Sequence, residues 1–130
     1  EVAKGSNLII STTASKEPLL FADDIQLGTH ITAMGSDTPN KQELDSAILS
    51  KADLVVADSI PQCIERGEIS HALNDKSISE NEIVELGNIL NGSAEGRKST
   101  DEITIADLTG VAVQDIQIAT AVYEAYKECK

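Results

Sequence analysis

The sequence predicts an α/β fold in which a parallel β-sheet carries helices on both faces. Short aliphatic segments alternate with helical patterns four times along the chain, which is typical of parallel βα units. Hydrophobic residues make up 41% of the 130 residues but aromatic residues only 2%, so we expect a core of Ile, Leu, Val and Ala, as in buried parallel strands. This length suffices for one domain with a hydrophobic core.

The first forty residues contain two predicted strands separated by irregular structure. Residues 7–12 form an apolar run of the length of a buried strand and end in small polar residues. Pro18 then excludes the interior of a regular strand or helix, so only one helical turn is expected, within residues 21–27. The second strand spans residues 30–35. Residues 36–40 are Ser, Asp, Thr, Pro and Asn, a composition typical of a turn.

The next segment is predicted as a helix, a strand and a second helical stretch. Residues 41–52 place their aliphatic side chains at helical spacing, which indicates a helix with one apolar side. The third strand, residues 53–58, is apolar within and flanked by acids. Pro61 is well suited to the start of the following helix, in which Gly67 is expected as an interruption.

The last fifty residues are predicted as a helix, a strand and a long closing helix. Residues 79–82 have the capping-box pattern of Ser with Glu three residues on, which predicts that a helix begins here and continues to Asn91. A polar loop leads to the fourth strand at residues 102–107. Gly110 separates this strand from a helix predicted over residues 111–130.

The glycine-rich turn that binds pyrophosphate in doubly wound folds is missing from the sequence. In such folds the first strand runs into G-x-G-x-x-G, whose glycines let the backbone approach the pyrophosphate at a helix N-terminus. None of the eight glycines has this spacing. Either the domain takes another ligand, or the dinucleotide-binding half lies upstream. Because the chain begins with Glu1 and its one methionine is Met34, we expect the later half of a Rossmann-like doubly wound parallel sheet, truncated at its start.

Composition and charge exclude several classes of partner. The net charge is −12 and the ten Lys and Arg residues are scattered, which argues against binding to nucleic acid or to an anionic membrane surface. Cys63 and Cys129 lack C-x-x-C spacing, so neither a zinc site nor a disulfide-rich secreted scaffold is expected. No apolar run approaches the ~18 residues of a membrane helix, and the first residues do not resemble a signal peptide. We therefore expect a cytoplasmic protein.

Polar residues cluster where three of the predicted strands end. The clusters are Ser11–Ser15, Gly35–Lys41 and Leu108–Gly110. Because open α/β sheets bind ligands at the carboxyl ends of their strands, these clusters are candidate binding sites. Asp37 and Lys41 are four residues apart and can face one cleft, where a carboxylate can transfer a proton if partial burial raises its pKa. The same residues are also typical of a helix N-cap.

Three segments together resemble the ornithine cyclodeaminase and mu-crystallin family. They are Thr12–Pro18, Gly28–Asp45 and Asp101–Asp115. The middle segment reads G-x-H-I-x-A-x-G-S-D-x-P-x-K-x-E-L-D, a long and specific pattern, and the order and spacing of all three segments match the family. The resemblance implies that the chain is the carboxyl-terminal portion of a member. Residues 1–110 would then be a partial NAD(P)-binding Rossmann-like domain, and residues 111–130 a helix that packs back on the missing substrate domain.

The resemblance also implies an activity. It predicts the cofactor-domain part of an NAD(P)-dependent ornithine cyclodeaminase-like enzyme that acts on a small amino acid through an imine, and that is homodimeric when whole. Alternatives within the family are an alanine dehydrogenase, a ketimine reductase and a non-catalytic, mu-crystallin-like protein that binds a nucleotide and a second ligand. A further alternative is a structural domain whose motif residues serve as caps and turns. The isolated chain is expected to be inactive.

Site residues follow from the same resemblance. It assigns proton transfer at the substrate nitrogens to Asp37 and substrate contact to Thr109. The mu-crystallin branch lacks an aspartate at the position of Asp37. Contacts to NAD or NADP are implied at Thr13, Met34, Gly35, Ser36, Lys41 and Leu108. Leu108 stands where the family usually has a serine beside the nicotinamide, which removes a hydroxyl group. No metal site is implied.

Overall fold

The computed structural model describes residues 2–129, which contain a five-stranded, fully parallel sheet. The strands are β1 (Leu8–Ser11), β2 (His30–Ala33), β3 (Leu54–Ala57), β4 (Ile83–Glu85) and β5 (Thr104–Asp107), in the spatial order β1-β2-β5-β3-β4. The helices are α1 (Ser46–Lys51), α2 (Ile60–Glu65), α3 (Glu68–Asn74), α4 (Leu86–Leu90) and α5 (Ala112–Glu128). Short 3₁₀ turns lie at Ala3–Gly5, Ala22–Asp24 and Glu80–Glu82. The predicted α/β fold with a parallel sheet is confirmed.

One face of the sheet forms the hydrophobic core. A row of aliphatic side chains runs in register across all five strands: Ile9, Ile31, Ile105, Val55 and Ile83. This row packs in one cluster with residues of α1, α2 and α3, among them Ile48, Cys63 and Ile69. On the opposite face, Leu8 and Ile10 of the edge strand β1 are 59% and 61% exposed. Among the described residues, α1, α2 and α3 therefore cover one face.

The helix predicted over residues 41–52 begins later than its aliphatic spacing suggests. Helix α1 starts at Ser46, and the carboxylate of Asp45 caps it by accepting the N–H of Ala47 at 2.8 Å. The preceding residues are drawn into non-helical bonds, since the N–H groups of Glu43 and Leu44 donate to the carboxylate of Glu68 at 2.8 and 2.9 Å. The prediction of helix before Ser46 was wrong, because a buried acid from α3 satisfies this backbone instead.

The segment predicted as one helix over residues 79–91 contains a strand. The capping box is present, with Ser79 N–H donating to Glu82 at 2.8 Å, but it closes only a 3₁₀ turn. Strand β4 follows and pairs with β3, placing Ile83 opposite Val55, and only then does α4 begin. The prediction was wrong here because pairing with β3 satisfies the backbone of β4 and buries Ile83.

The closing helix predicted over residues 111–130 is present as α5, although Lys130 lies outside the described residues. None of its described residues is buried. Ile118, Val122 and Tyr126 follow one another at helical spacing along an exposed apolar groove. Between residues 2 and 129, no helix combines the length and the apolar composition needed to cross a membrane.

Candidate functional site

The three polar clusters predicted from the sequence meet at the carboxyl edge of the sheet. Ser11, Ala33 and Asp107, the last residues of β1, β2 and β5, are in register because β2 lies between β1 and β5. The ladder continues beyond them, since Met34 N–H donates to Ser11 and Leu108 N–H donates to Ala33, both at 2.9 Å. We call the loops of residues 12–15, 34–41 and 108–110 together the carboxyl-edge site.

Asp37 and Lys41 form an ion pair at the surface of this site. The ammonium of Lys41 donates to the Asp37 carboxylate at 2.6 Å, and the Asp37 side chain is 55% exposed. This hydrogen bond lowers the pKa of Asp37 below its ordinary value and outweighs the opposing effect of desolvation, so the raised pKa considered from the sequence is not found. Asp37 does not cap a helix either, since α1 begins only at Ser46. The carboxylate is accessible to a solute and is held in its ionised form.

The base of the loop that carries Asp37 is closed by two hydrogen bonds to one carbonyl group. The Ser36 hydroxyl donates to the Lys41 carbonyl oxygen at 2.5 Å, and Nε2 of His71 in α3 donates to the same oxygen at 2.7 Å. Ser36 is 3% exposed. The Ser36 hydroxyl therefore stabilises the loop. Through His71, the backbone of Lys41 in the ion pair is also attached to α3.

Glu43 joins two of the loops and was not singled out from the sequence. It is fully buried, and its carboxylate accepts the Ser11 hydroxyl at 2.8 Å, the Gly35 N–H at 2.9 Å and the Thr13 N–H at 2.5 Å. A side chain on Gly35 would place Cβ 2.2 Å from the Thr13 carbonyl oxygen, so only glycine allows this contact. The one sequence signal was an acid within the long motif, in a stretch predicted as helix.

The third loop of the site is held by Asp58, a second acid that the sequence reasoning did not single out. Its carboxylate accepts the Thr109 hydroxyl at 3.1 Å and the Gly110 N–H at 2.8 Å. Thr109 is 6% exposed, whereas Leu108 is half-buried. The hydroxyl group of Thr109, the residue expected from the resemblance to contact substrate, thus donates a hydrogen bond to Asp58.

Beneath the loops lie acidic groups with raised pKa values. Burial raises the pKa of Asp107 to about 8, and nearby Glu68 and Asp58 act in the same direction. Burial also raises the pKa of Glu68. The thiol of Cys63 is buried among these acids and its pKa rises to about 12, so it stays protonated and packs as a small apolar group. These groups are structural supports below the site.

The residues expected to contact a dinucleotide are unequally accessible. Thr13 and Met34 are exposed, Lys41 and Leu108 are half-buried, and Gly35 and Ser36 are buried. The accessible surface therefore combines a hydroxyl group, an ammonium paired with a carboxylate, and two apolar side chains. Such a surface fits one end of a dinucleotide at the carboxyl edge of a parallel sheet. Between residues 2 and 129 no three His, Cys, Asp or Glu side chains are placed to hold a metal ion.

Comparison with known proteins agrees with this geometry. A family model described as the ornithine cyclodeaminase/mu-crystallin family matches residues 1–130. An uncharacterized cyclodeaminase of Sinorhizobium fredii is 40% identical over 129 residues, which are 98% of this chain and 39% of that protein.

Two solved structures superpose closely on the chain. An archaeal alanine dehydrogenase dimer with bound NAD has a TM-score of 0.89 at 38% identity, and covers 98% of this chain and 41% of its own. The iminosuccinate reductase of Paracoccus denitrificans in complex with NAD⁺ has a TM-score of 0.87 at 41% identity, and covers 93% of this chain and 37% of its own. The chain thus spans about two fifths of the length of the proteins it matches.

Proposed function

The chain belongs to the ornithine cyclodeaminase/mu-crystallin family, and on that premise we propose that it is the carboxyl-terminal, cofactor-domain part of an NAD(P)-dependent enzyme that acts on a small amino acid through an imine. The observation that carries this proposal is the exposed Asp37–Lys41 pair within the G-S-D-x-P-x-K motif. Relatives named as an alanine dehydrogenase and an iminosuccinate reductase support it. Cyclodeamination, oxidative deamination and imine reduction share the hydride transfer on which the proposal depends.

One end of the dinucleotide is proposed to lie on the carboxyl-edge site. The contacts are Thr13, Met34, Gly35, Ser36, Lys41 and Leu108, and their fit rests on the exposed hydroxyl, ammonium and apolar groups described above. When bound, NAD or NADP supplies hydride transfer at the α-carbon of the substrate. Leu108 contributes an apolar contact without a hydroxyl group. The pyrophosphate requires a glycine-rich turn that this chain does not contain.

Asp37 is proposed to hold and move a proton at the substrate nitrogen. The Lys41 hydrogen bond keeps Asp37 ionised, which suits a group that attracts the cationic amine of an amino acid and then accepts its proton. A bound substrate and a closed site would remove water from the pair, and desolvation shifts the pKa of a carboxylate upwards, towards the range useful for proton transfer. Thr109 is proposed as the substrate contact, oriented by its bond to Asp58.

The domain organisation is proposed from the exposed surfaces. Residues 1–110 are proposed to be a partial NAD(P)-binding, Rossmann-like domain, and residues 111–130, which include α5, are proposed to pack on the substrate domain of the whole protein. The apolar groove along α5, which includes Ile118 and Val122, supports this, because an isolated helix exposing such a face lacks stabilising tertiary contacts. The whole protein is proposed to be a homodimer, which is supported by the archaeal alanine dehydrogenase structure, described as a dimer.

The proposal is tested with Asp37→Asn in the full-length protein. Dinucleotide reduction or oxidation is followed at 340 nm with a panel of amino acids and imines, and dinucleotide affinity is measured by calorimetry. The variant should lose at least about a hundredfold in turnover, the usual effect of removing a general base, while dinucleotide affinity changes less than about twofold.

A matched control is Glu95→Gln. Glu95 is also an exposed carboxylate that pairs with a lysine, Lys98, at 2.6 Å, but it lies in the polar loop that precedes β5. Its turnover should equal that of the unaltered enzyme. Unchanged turnover in Asp37→Asn would contradict the proposed proton-transfer role of Asp37. Absence of hydride transfer with every amino acid and imine tested would contradict the proposed enzyme activity itself.

A further inference from the structure

Glu43 occupies an unusual position for a carboxylate. It is fully buried, yet its three partners come from three places at the carboxyl edge: Ser11 ends β1, Thr13 lies in loop 12–15 and Gly35 lies in loop 34–41. A Cβ on Gly35 would lie 2.5 Å from the carboxyl carbon of Glu43. The Glu43 carboxylate, Gly35 and the Thr13 carbonyl group are therefore in close contact, and we expect a displacement of the carboxylate to disturb the loops that it joins.

The chemistry of the three partners calls for a carboxylate. All of them are donors, and they approach both oxygens: Thr13 donates to Oε1, whereas Ser11 and Gly35 donate to Oε2. Only an acceptor at both positions satisfies this arrangement. A glutamine of the same shape would direct its NH₂ group at one of these donors and leave that donor unsatisfied in the interior.

The backbone of Glu43 is itself held by the core. The N–H groups of Glu43 and Leu44 donate to the two carboxylate oxygens of Glu68, at the start of α3. The next residue, Ile69, donates its N–H to Asp107 at the end of β5 at 2.8 Å. The adjacent residues Glu68 and Ile69 thus link the central strand β5 to the backbone of Glu43, and the Glu43 carboxylate in turn binds Ser11 and the two loops.

We propose that Glu43 is a positioning residue of the carboxyl-edge site, whose buried carboxylate sets the separation of loops 12–15 and 34–41 and so the position of the dinucleotide contacts at Thr13 and Met34. The inference rests on the proposed function. Because its side chain is fully buried, Glu43 touches neither dinucleotide nor substrate and acts only through the two loops. Because the Lys41 end of loop 34–41 is held separately by Ser36 and His71, we expect Glu43 to affect dinucleotide affinity more than proton transfer at Asp37.

The test compares Glu43→Gln with Asp53→Asn in the full-length enzyme. Asp53 also accepts a backbone amide, that of Ile103, at 2.8 Å, but at the amino edge of the sheet. Both variants should lower the melting temperature. Glu43→Gln should in addition raise KM for the dinucleotide about tenfold with kcat changed less than about threefold, whereas Asp53→Asn should leave KM unchanged. Equal effects of the two variants on KM, or no effect of Glu43→Gln, would overturn the proposal.

Two further measurements cover the remaining outcomes. If Glu43→Gln does not fold, Ser11→Ala removes one of the three donors while keeping the acid, and it should raise KM about two- to threefold; an unchanged KM would overturn the proposal.

Hydrogen exchange of backbone amides provides a test that does not depend on enzyme activity. In Glu43→Gln the amides of Thr13 and Gly35 should exchange at least about tenfold faster, and that of Leu108, bonded to Ala33, should not. Unaltered exchange at Thr13 and Gly35 would overturn the positioning role even where the proposed enzyme activity is absent.

Discussion

At the scale of single residues, acids hold the backbone of this protein together at one edge of its sheet. Glu43, Glu68, Asp58 and Asp107 all accept backbone N–H groups there. Turns leave amides without partners in regular structure, and an acid with two acceptor oxygens satisfies several of them at once. Asp37, by contrast, faces solvent and pairs with Lys41. Three of the supporting acids are buried and Asp58 is half-buried, whereas Asp37, the acid proposed to transfer a proton, is exposed.

Asp107 makes the stability of the chain depend on pH. Its pKa is raised from 3.8 to about 8 by burial, so between these values the folded state retains a proton that the unfolded chain has released. The stability associated with the protonated form is complete below about pH 4 and is lost as pH rises through about 8, by at most about 1.4 kcal/mol per pH unit. Asp107→Asn retains an acceptor for Ile69 and cannot ionise, so its free energy of unfolding should decline less over this window.

Urea unfolding of the chain at pH 5 to 9 measures this effect. The difference in unfolding free energy between Asp107→Asn and the unaltered chain should move in favour of the variant as pH rises. Asp101→Asn, an exposed acid at the amino edge, is the control and should show no such trend. If the unfolding free energies of Asp107→Asn and of the unaltered chain changed in parallel with pH, the pH dependence could not be attributed to Asp107.

At the scale of secondary structure, the chain is built from short elements whose ends are set by contacts with distant residues. Helices α2 and α3 are separated at Gly67, as the sequence predicts, and this glycine has φ +91° and ψ −178°, a conformation open to glycine alone. An added Cβ would lie 2.5 Å from Oδ2 of Asp107 and 2.8 Å from Cγ2 of Thr109. The break between the helices thus lets α3 approach β5 closely.

Gly67→Ala should destabilise the chain for two reasons, the disfavoured backbone conformation and the steric conflict. Gly92 offers a matched control, because it also has positive φ, +79°, but an added Cβ there meets nothing within 4 Å. We expect a loss of about 1 kcal/mol for Gly92→Ala and about 2–4 kcal/mol for Gly67→Ala, measured by urea unfolding. Equal losses would show that the conflict with Asp107 and Thr109 is relieved without cost.

Local pattern predicted most elements correctly and failed where distant partners intervene. The strands at residues 7–12, 30–35, 53–58 and 102–107 are all present within one or two residues at each end, because a short aliphatic run between polar residues is a local signal. The strand β4 was missed since its pairing with β3 is not visible in a capping-box pattern. Likewise, nothing local shows that Glu68 binds the backbone ahead of α1.

At the scale of the whole molecule, the described chain buries one face of its sheet and leaves the other partly open. Leu8 and Ile10 on that open face and the whole of α5 are exposed, and we propose that the rest of a longer protein covers them. The matched proteins are more than twice as long, with the chain spanning 37–41% of them. The carboxyl-edge site is proposed to be completed by that remaining part.

The chain of 130 residues should bind dinucleotide too weakly to detect. The glycine-rich turn that receives the pyrophosphate is not in its sequence, and loss of that anion contact removes much of the affinity. Calorimetric titration with NAD or NADP at micromolar concentration should give no heat above dilution, whereas the full-length protein under the same conditions should give a saturating isotherm. Tight binding of dinucleotide by the 130-residue chain would contradict the proposal that the pyrophosphate contact lies outside it.

The sequence alone determined the α/β class, the four strand positions and the family, because aliphatic periodicity and the G-S-D-x-P-x-K-x-E-L-D segment can be recognised within short stretches. It also indicated that Asp37 and Lys41, four residues apart, can face one cleft, and the structure shows that they form an ion pair. Only the tertiary structure decided that Glu43 is buried between two loops, that Asp58 holds Thr109, and that β2 lies between β1 and β5. These features depend on strand order and on contacts between residues far apart in the chain, which local spacing does not specify.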